Sequence, residues 1–331
     1  MLESLFLLIG SFVGAGFASG KEVFNFFTVF HVNGFISIFV FSLLTFFTIY
    51  RVLMIRYTQK IESYSDFLNL ITSRYPLLDH RFFLLVINLF LIISFYIMII
   101  ALSTLFEYQL GIHRIIIIFV TILFCYPIFK KENIHFIFMM STLLMPLLIL
   151  FIIFLSTQTI HPISLNFNEV SSLGFSIINS ILYFSYNSLL VIPMLFNIKM
   201  KSKKYVFLLA FLFSFILLIL TLLINVILLS NITLISHVDL PILTICHSLT
   251  NSFTYFYFLI MLSAIVTTLL SSGYSFVKNL SSHSSNIALL IFLSFSFLFS
   301  LFSFSNLVSI FYPFFGLLGL LQIFLILYNK Y

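Results

Sequence analysis

The chain has 331 residues, of which 62% are hydrophobic and 7% charged, with a net charge of +6 and a mean hydropathy of +1.23. Those values exclude a soluble globular domain and fit an integral membrane protein, because spans of about 20 apolar residues match a hydrocarbon core about 30 Å thick. Runs such as 82–106 and 206–229 are apolar all round and lack the alternation of a barrel strand, so the spans are helices.

Ten spans are predicted in chain order, near residues 2–30, 33–55, 82–107, 112–129, 134–156, 170–198, 204–230, 252–278, 286–303 and 305–328. Basic residues are retained on the cytoplasmic side. Of the 15 Lys and Arg residues, 13 follow even-numbered spans, among them Arg51, Arg56, Lys60, Arg74, Arg81 and Lys199 to Lys204. Both termini are therefore expected in the cytoplasm. The positive charge is scattered over loops facing anionic lipid headgroups and does not imply nucleic acid. Glu3 stands where a secretory signal would need basic residues, so the first span is expected to be retained.

Four of the ten glycines, Gly10, Gly14, Gly16 and Gly20, lie in the first span, followed directly by Lys21 and Glu22. Loosened backbone and a carboxylate at bilayer depth point to a bound polar solute. The glycines also fit a small-residue packing face. A carboxylate costs about 2.5 to 3.5 kcal/mol at mid-membrane, which a packing face does not require. Glu22 near water could instead simply pair with Lys21.

The third span carries Tyr96, which reads as core or as a substrate contact, with Asn88 and Ser94 as weaker candidates. Cys125 in the fourth span and Cys246 in an outer loop lie too far apart in the topology for a disulfide. The sixth span holds Tyr183-Phe184-Ser185-Tyr186-Asn187-Ser188 and then Pro193, whose ring removes a donor and crowds the carbonyl of Leu189. A second helix break is expected there. Tyr183, Tyr186 and Asn187 also fit a hydrogen-bonded cluster between helices. Ten spans divide into halves at about 1–156 and 170–328 of a single domain, and five crossings each make the halves inverted. Paired interruptions at matching positions mark a transporter site.

The run Gly14-Ala15-Gly16-Phe17-Ala18-Ser19-Gly20, with Glu22 and then Phe26-Phe27, resembles the opening of the YkvI-type bacterial membrane proteins, a branch of the amino acid, polyamine and organocation transporter superfamily. The resemblance implies a LeuT-like fold of five plus five inverted helices, with substrate between broken helices one and six against helices three and eight. It also implies a sodium site matching Gly10, Val13, Thr267 and Thr268. Those threonines could equally bond back to their own helix. Lys21 departs from the family, which more often has Gln there.

No enzyme motif is present. His237, Asp239 and His247 lack metal-ligand spacing, Gly14-Ala15-Gly16 lacks the third glycine of a dinucleotide fingerprint, and Gly20-Lys21 is followed by Glu22 where a phosphate loop needs Ser or Thr. The expectation is an all-helical secondary transporter in the bacterial cytoplasmic membrane, moving an amino acid or similar small solute by alternating access. Gly14, Gly16, Gly20, Tyr96, Tyr183, Tyr186 and Asn187 are the substrate candidates. The coupling ion is sodium at Gly10, Val13, Thr267 and Thr268, or a proton on Glu22, with no cofactor. The alternative is a non-transporting receptor or assembly subunit of the same fold, like the spore germination subunits that resemble this superfamily.

Overall fold

A computed structural model describes residues 1–73, 80–131, 135–159, 172–196, 198–235, 238–279 and 286–328. The segment 160–171, Arg74, His237 and Lys330 lie outside them. All regular structure among the described residues is helical. The first predicted span is three pieces, α1 (Leu2–Phe12), α2 (Ala15–Ala18) and α3 (Lys21–Phe26), closed by a 3₁₀ turn at Thr28–Phe30. There follow α4 (Val32–Gln59), α5 (Tyr64–Thr72), α6 (His80–Leu110), α7 (Arg114–Lys131), α8 (His135–Thr159) and α9 (Leu173–Leu195). The remainder comprises α10 (Lys203–Ser230), α11 (Ile232–Ile235), α12 (Pro241–Leu249), α13 (Asn251–Asn279), α14 (Asn286–Ser294), α15 (Ser296–Phe299) and α16 (Phe304–Tyr328).

Six of these helices are long and apolar enough to cross a membrane: α4, α6, α9, α10, α13 and α16. The outward faces of these and the shorter apolar helices carry exposed large side chains such as Phe39, Leu150, Leu259 and Phe324, as a lipid-facing surface does. The chain is a multi-pass membrane protein. Two connections hold helices that the span assignment did not include. In α5, Phe67, Leu68, Ile71 and Thr72 are buried along one face, and in α12, Ile242, Leu243, Ile245 and Cys246 are.

The interior is built on α9, which packs along both α16 and α4. Contact with α16 is close because that face carries glycine: a Cβ on Gly316 would lie 2.7 Å from the Leu182 carbonyl oxygen, and one on Gly319 would overlap the Ser185 carbonyl. The α4 side is fastened by charge. Arg56 donates to the carbonyls of Leu195, Phe196 and Ile198 at the end of α9, with its guanidinium 5.2 Å from the Phe196 ring centroid. One turn earlier, Arg51 donates to the Ile326 carbonyl near the end of α16. Cations at helix C-termini complement the dipole and occupy carbonyls left without an intrahelical donor.

The expected break in the sixth span is absent. Helix α9 runs without interruption from Leu173 to Leu195. Its polar residues bond back to their own helix: Ser185 Oγ to the Ile181 carbonyl at 2.6 Å, Asn187 Nδ2 to the Tyr183 carbonyl at 3.0 Å and Ser188 Oγ to the Ser185 carbonyl at 2.7 Å. Side chains that bond backwards keep the backbone helical, and Pro193 stands two residues from the end of α9, so little helix remains beyond it to be kinked.

Candidate functional site

The first span does break, and in two places. After α1, Val13 (φ −80°, ψ 93°) and Gly14 (φ −93°, ψ −171°) are extended, and the Gly14 N–H turns to the Phe12 carbonyl at 3.1 Å. Among the described residues no backbone N–H donates to the carbonyls of Gly10, Ser11 or Val13. The second break is at Gly20, whose φ of +80° is the left-handed region that favours glycine. This break is strapped down. The Ile242 N–H donates to the Ser19 carbonyl at 3.0 Å, Lys21 Nζ to the Val238 carbonyl at 2.9 Å, and the Tyr257 hydroxyl to the Ala18 carbonyl.

Lys21 and Glu22 diverge. The lysine lies over the Phe24 ring, 5.4 Å from its centroid, whereas the glutamate folds back over Gly16, where a Cβ would stand only 2.6 Å from Glu22 Cγ and Cδ. Glu22 is 3% exposed and forms no ion pair with a described residue. Its Oε2 and the hydroxyls of Tyr183 and Tyr186 are buried together, with the two phenols as the hydrogen-bonding neighbours of the carboxylate.

Glu22 opens on a cavity of about 20 Å³, room for about one water-sized species. It is lined by Ser11 of α1 and Gly14 of the first break, by Ser94 of α6 and by Thr268 of α13. Asn187 and Tyr186 of α9 and Tyr312 of α16 complete the polar lining, and Phe12, Phe90, Met98 and Leu190 form the apolar walls. Tyr186 and Tyr312 stack with centroids 4.5 Å apart.

Of the sequence-predicted residues, Gly14, Glu22, Tyr186, Asn187 and Thr268 therefore line one cavity, and Gly16 supports Glu22 from behind. Tyr183 stands beside them, its ring 5.5 Å from that of Tyr186 and packed on Phe12, Phe26, Phe27 and Phe41. Gly20 faces Ile242, away from the cavity lining. Tyr96 is also outside it: its hydroxyl donates to the Phe292 carbonyl at 2.9 Å and its ring stacks on Phe299 at 4.6 Å. The hydroxyls of Thr267 and Thr268 both donate to the Ala264 carbonyl, at 3.0 and 2.9 Å, and Thr268 is the nearest neighbour of Gly14. Gly10 sits in the last turn of α1, with Val13 at its end.

Sequence reasoning missed Tyr312. Its signal was a phenol directly before Pro313 in an otherwise apolar span. Among the described residues no cluster of three His, Cys, Asp or Glu side chains could hold a metal ion.

The helices wrap around a broken first span that carries a small cavity at the break. The structure is similar to crystal structures of the Eremococcus coleocola manganese transporter. A point mutant of that transporter, with glutamine in place of a glutamate, aligns at 13% identity with a TM-score of 0.60, over 98% of this chain and 78% of that one. The complex of the same transporter with an aromatic bis-isothiourea substituted compound aligns at 12% identity, also with a TM-score of 0.60, over 98% and 77%. No protein-family model and no curated protein matches the sequence.

Proposed function

We propose that the chain is an ion-coupled secondary transporter that moves an amino acid or similar small zwitterionic solute by alternating access across the bacterial cytoplasmic membrane, with both termini inside. The observation that carries this reading is the cavity at the first-span break, which joins a buried carboxylate, Ser11 and Gly14 of the break and polar side chains from α6, α9, α13 and α16. Carbonyls released by a break attract a cation, and helix ends bordering it attract opposite charge, which suits a zwitterion. Gly14, Gly16, Tyr183, Tyr186 and Asn187 serve the substrate in this reading, while Gly20 and Tyr96 hold the frame. The YkvI-type resemblance and the inverted five-plus-five arrangement belong to the same proposal, with α9 as an unbroken sixth helix. The coupling ion is sodium between the carbonyls of Gly10 and Val13 and the oxygens of Thr267 and Thr268, or a proton on Glu22. Hydroxyls that donate to Ala264 still offer lone pairs to sodium.

A cavity the size of one water holds no amino acid, so substrate entry requires the lining to part; the present form is closed around the site. Manganese is the cargo of the structural relative, yet this cavity presents one carboxylate where a divalent ion favours a fuller set of oxygen ligands. The purified chain in liposomes should accumulate labelled amino acid under an imposed gradient. Uptake that persists without sodium and collapses with a protonophore assigns coupling to the proton, and the reverse assigns it to sodium. Failure to move any solute, together with stoichiometric co-purifying partner proteins, would favour the receptor alternative.

A further inference from the structure

The lipid-facing surface is not uniform. Lys199, Lys201, Lys203 and Lys204 crowd into six residues between α9 and the first turn of α10, all four are exposed, and none forms an ion pair with a described residue. The first turn of α10 carries no acidic side chain to offset them. Like charges gathered at the edge of a membrane repel one another and attract anionic headgroups, each cation adding to the attraction.

Along the same face α10 then turns aromatic. Phe207, Phe211 and Phe215 follow Lys203 at four-residue spacing, which sets them one above another on the helix. Their rings form a ladder, with successive centroids 6.3 and 5.7 Å apart and planes within 5° and 9° of parallel, and the three side chains are 44 to 49% exposed. Phe46 and Tyr50 of α4 meet Phe207 edge-on, at 5.8 and 6.0 Å, and wall one side of the ladder. At the helical rise, Lys203 to Phe215 covers about 18 Å, between the half-thickness of the hydrocarbon core, about 15 Å, and that of the whole bilayer, about 20 Å. Charge at one end and an apolar column one leaflet deep match the shape of a single amphiphile.

We propose that this face of α10 seats an anionic phospholipid, with its phosphate held by Lys203, Lys204 and the neighbouring lysines and an acyl chain laid along the ladder from Phe207 to Phe215. The seat adjoins the foot of α1, because the hydroxyl of Tyr205, the residue after Lys204, donates to Ser4 Oγ at 3.0 Å. A bound lipid therefore steadies the turn of α10 to which α1 is tied. Nothing in this assignment depends on which solute the chain moves.

The purified full-length chain in detergent can be titrated with dioleoylphosphatidylglycerol, dioleoylphosphatidylcholine and glycerol phosphate, with binding read as thermal shift and as lipid retained in native mass spectrometry. Phosphatidylglycerol should raise the melting temperature and stay bound, and the other two should do neither. Lys203→Gln with Lys204→Gln should weaken phosphatidylglycerol binding about thirtyfold, the loss of two cations beside an anionic headgroup. Phe207→Ala with Phe211→Ala should weaken it at least about threefold through lost dispersion contact with the chain. Lys130→Gln, at an exposed lysine of α7, which packs on α6 and α14, should leave it unchanged. Equal binding of the two lipids, or glycerol phosphate as effective as the lipid, would overturn the assignment. So would full binding by the phenylalanine variant, or a loss in Lys130→Gln as large as in the double lysine variant, which would reduce the patch to diffuse charge. The comparison of the two lipids needs only the wild-type chain, so it decides even where a variant fails to fold.

Discussion

Replacing Gly16 by alanine tests the backing of Glu22 directly. The backbone at Gly16 has no left-handed torsion, so alanine is compatible with it, and an exposed helix would gain about 1 kcal/mol from the change. Here the new methyl would stand 2.6 Å from Glu22 Cγ and Cδ, where carbon atoms rest about 3.5 to 4.0 Å apart. The glutamate has to retreat by about 1 Å. Overpacking of that kind costs about 1 to 3 kcal/mol, so after the propensity gain the net loss is at most about 2 kcal/mol and the protein still folds. The carboxylate, however, leaves its place beside Tyr183 and Tyr186. Alanine affinity measured by thermal shift, and alanine uptake measured in liposomes, should each fall at least about tenfold. The double variant Gly16→Ala with Glu22→Asp, which shortens the side chain that is in the way, should recover part of the stability, giving a non-additive cycle. Wild-type affinity in Gly16→Ala would show that the position of Glu22 does not matter to the site, and the reasoning would fail.

Other consequences can be checked independently. Gly319→Ala drives a methyl into the Ser185 carbonyl and should destabilise the chain by about 1 to 3 kcal/mol in thermal unfolding, with a smaller effect for Gly316→Ala. Tyr96→Phe removes one hydrogen bond to Phe292 and should cost about 0.6 kcal/mol while leaving alanine affinity unchanged, since the residue does not line the cavity. Arg56→Ala should cost about 1.5 to 3 kcal/mol, because it strips charge-assisted hydrogen bonds from three carbonyls at once; Arg56→Lys should recover only part. Burial pushes the Cys246 thiol up to about 12, so in a Cys125→Ser background it should resist maleimide at pH 8 and become reactive there only when α12 opens, as read by mass spectrometry.

The break in the first span was legible because glycine leaves a compositional mark: four in twenty residues, next to a carboxylate, have few uses in a membrane. The cavity lining was partly legible for the same reason, through Glu22, Tyr186, Asn187 and Thr268. The sixth span shows where the reading fails. Tyr183 to Ser188 is as polar as a broken segment, but serine and asparagine side chains can either replace helical bonds or bend back onto carbonyls that are already bonded, and composition is the same in both cases. Tyr96, alone in an apolar span, and Tyr186, in a polar cluster, are both substrate candidates by sequence, and packing separates them, since one phenol reaches the Phe292 carbonyl and the other residue lines the cavity. Helices α5 and α12 were hidden because nine residues with one buried face are too short to stand out beside apolar spans of about 25.

The two arginines of α4 have a mechanical meaning. By gripping the terminal carbonyls of α9 and α16 they turn three long helices into a single strut, welded at one end by cations and along its length by glycine. In the transporter reading, a stroke that uncovers Glu22 pivots α1 against that strut, and the point of flexure is the unstrapped break at Val13 and Gly14, since the one at Gly20 is tied to Ile242, Val238 and Tyr257.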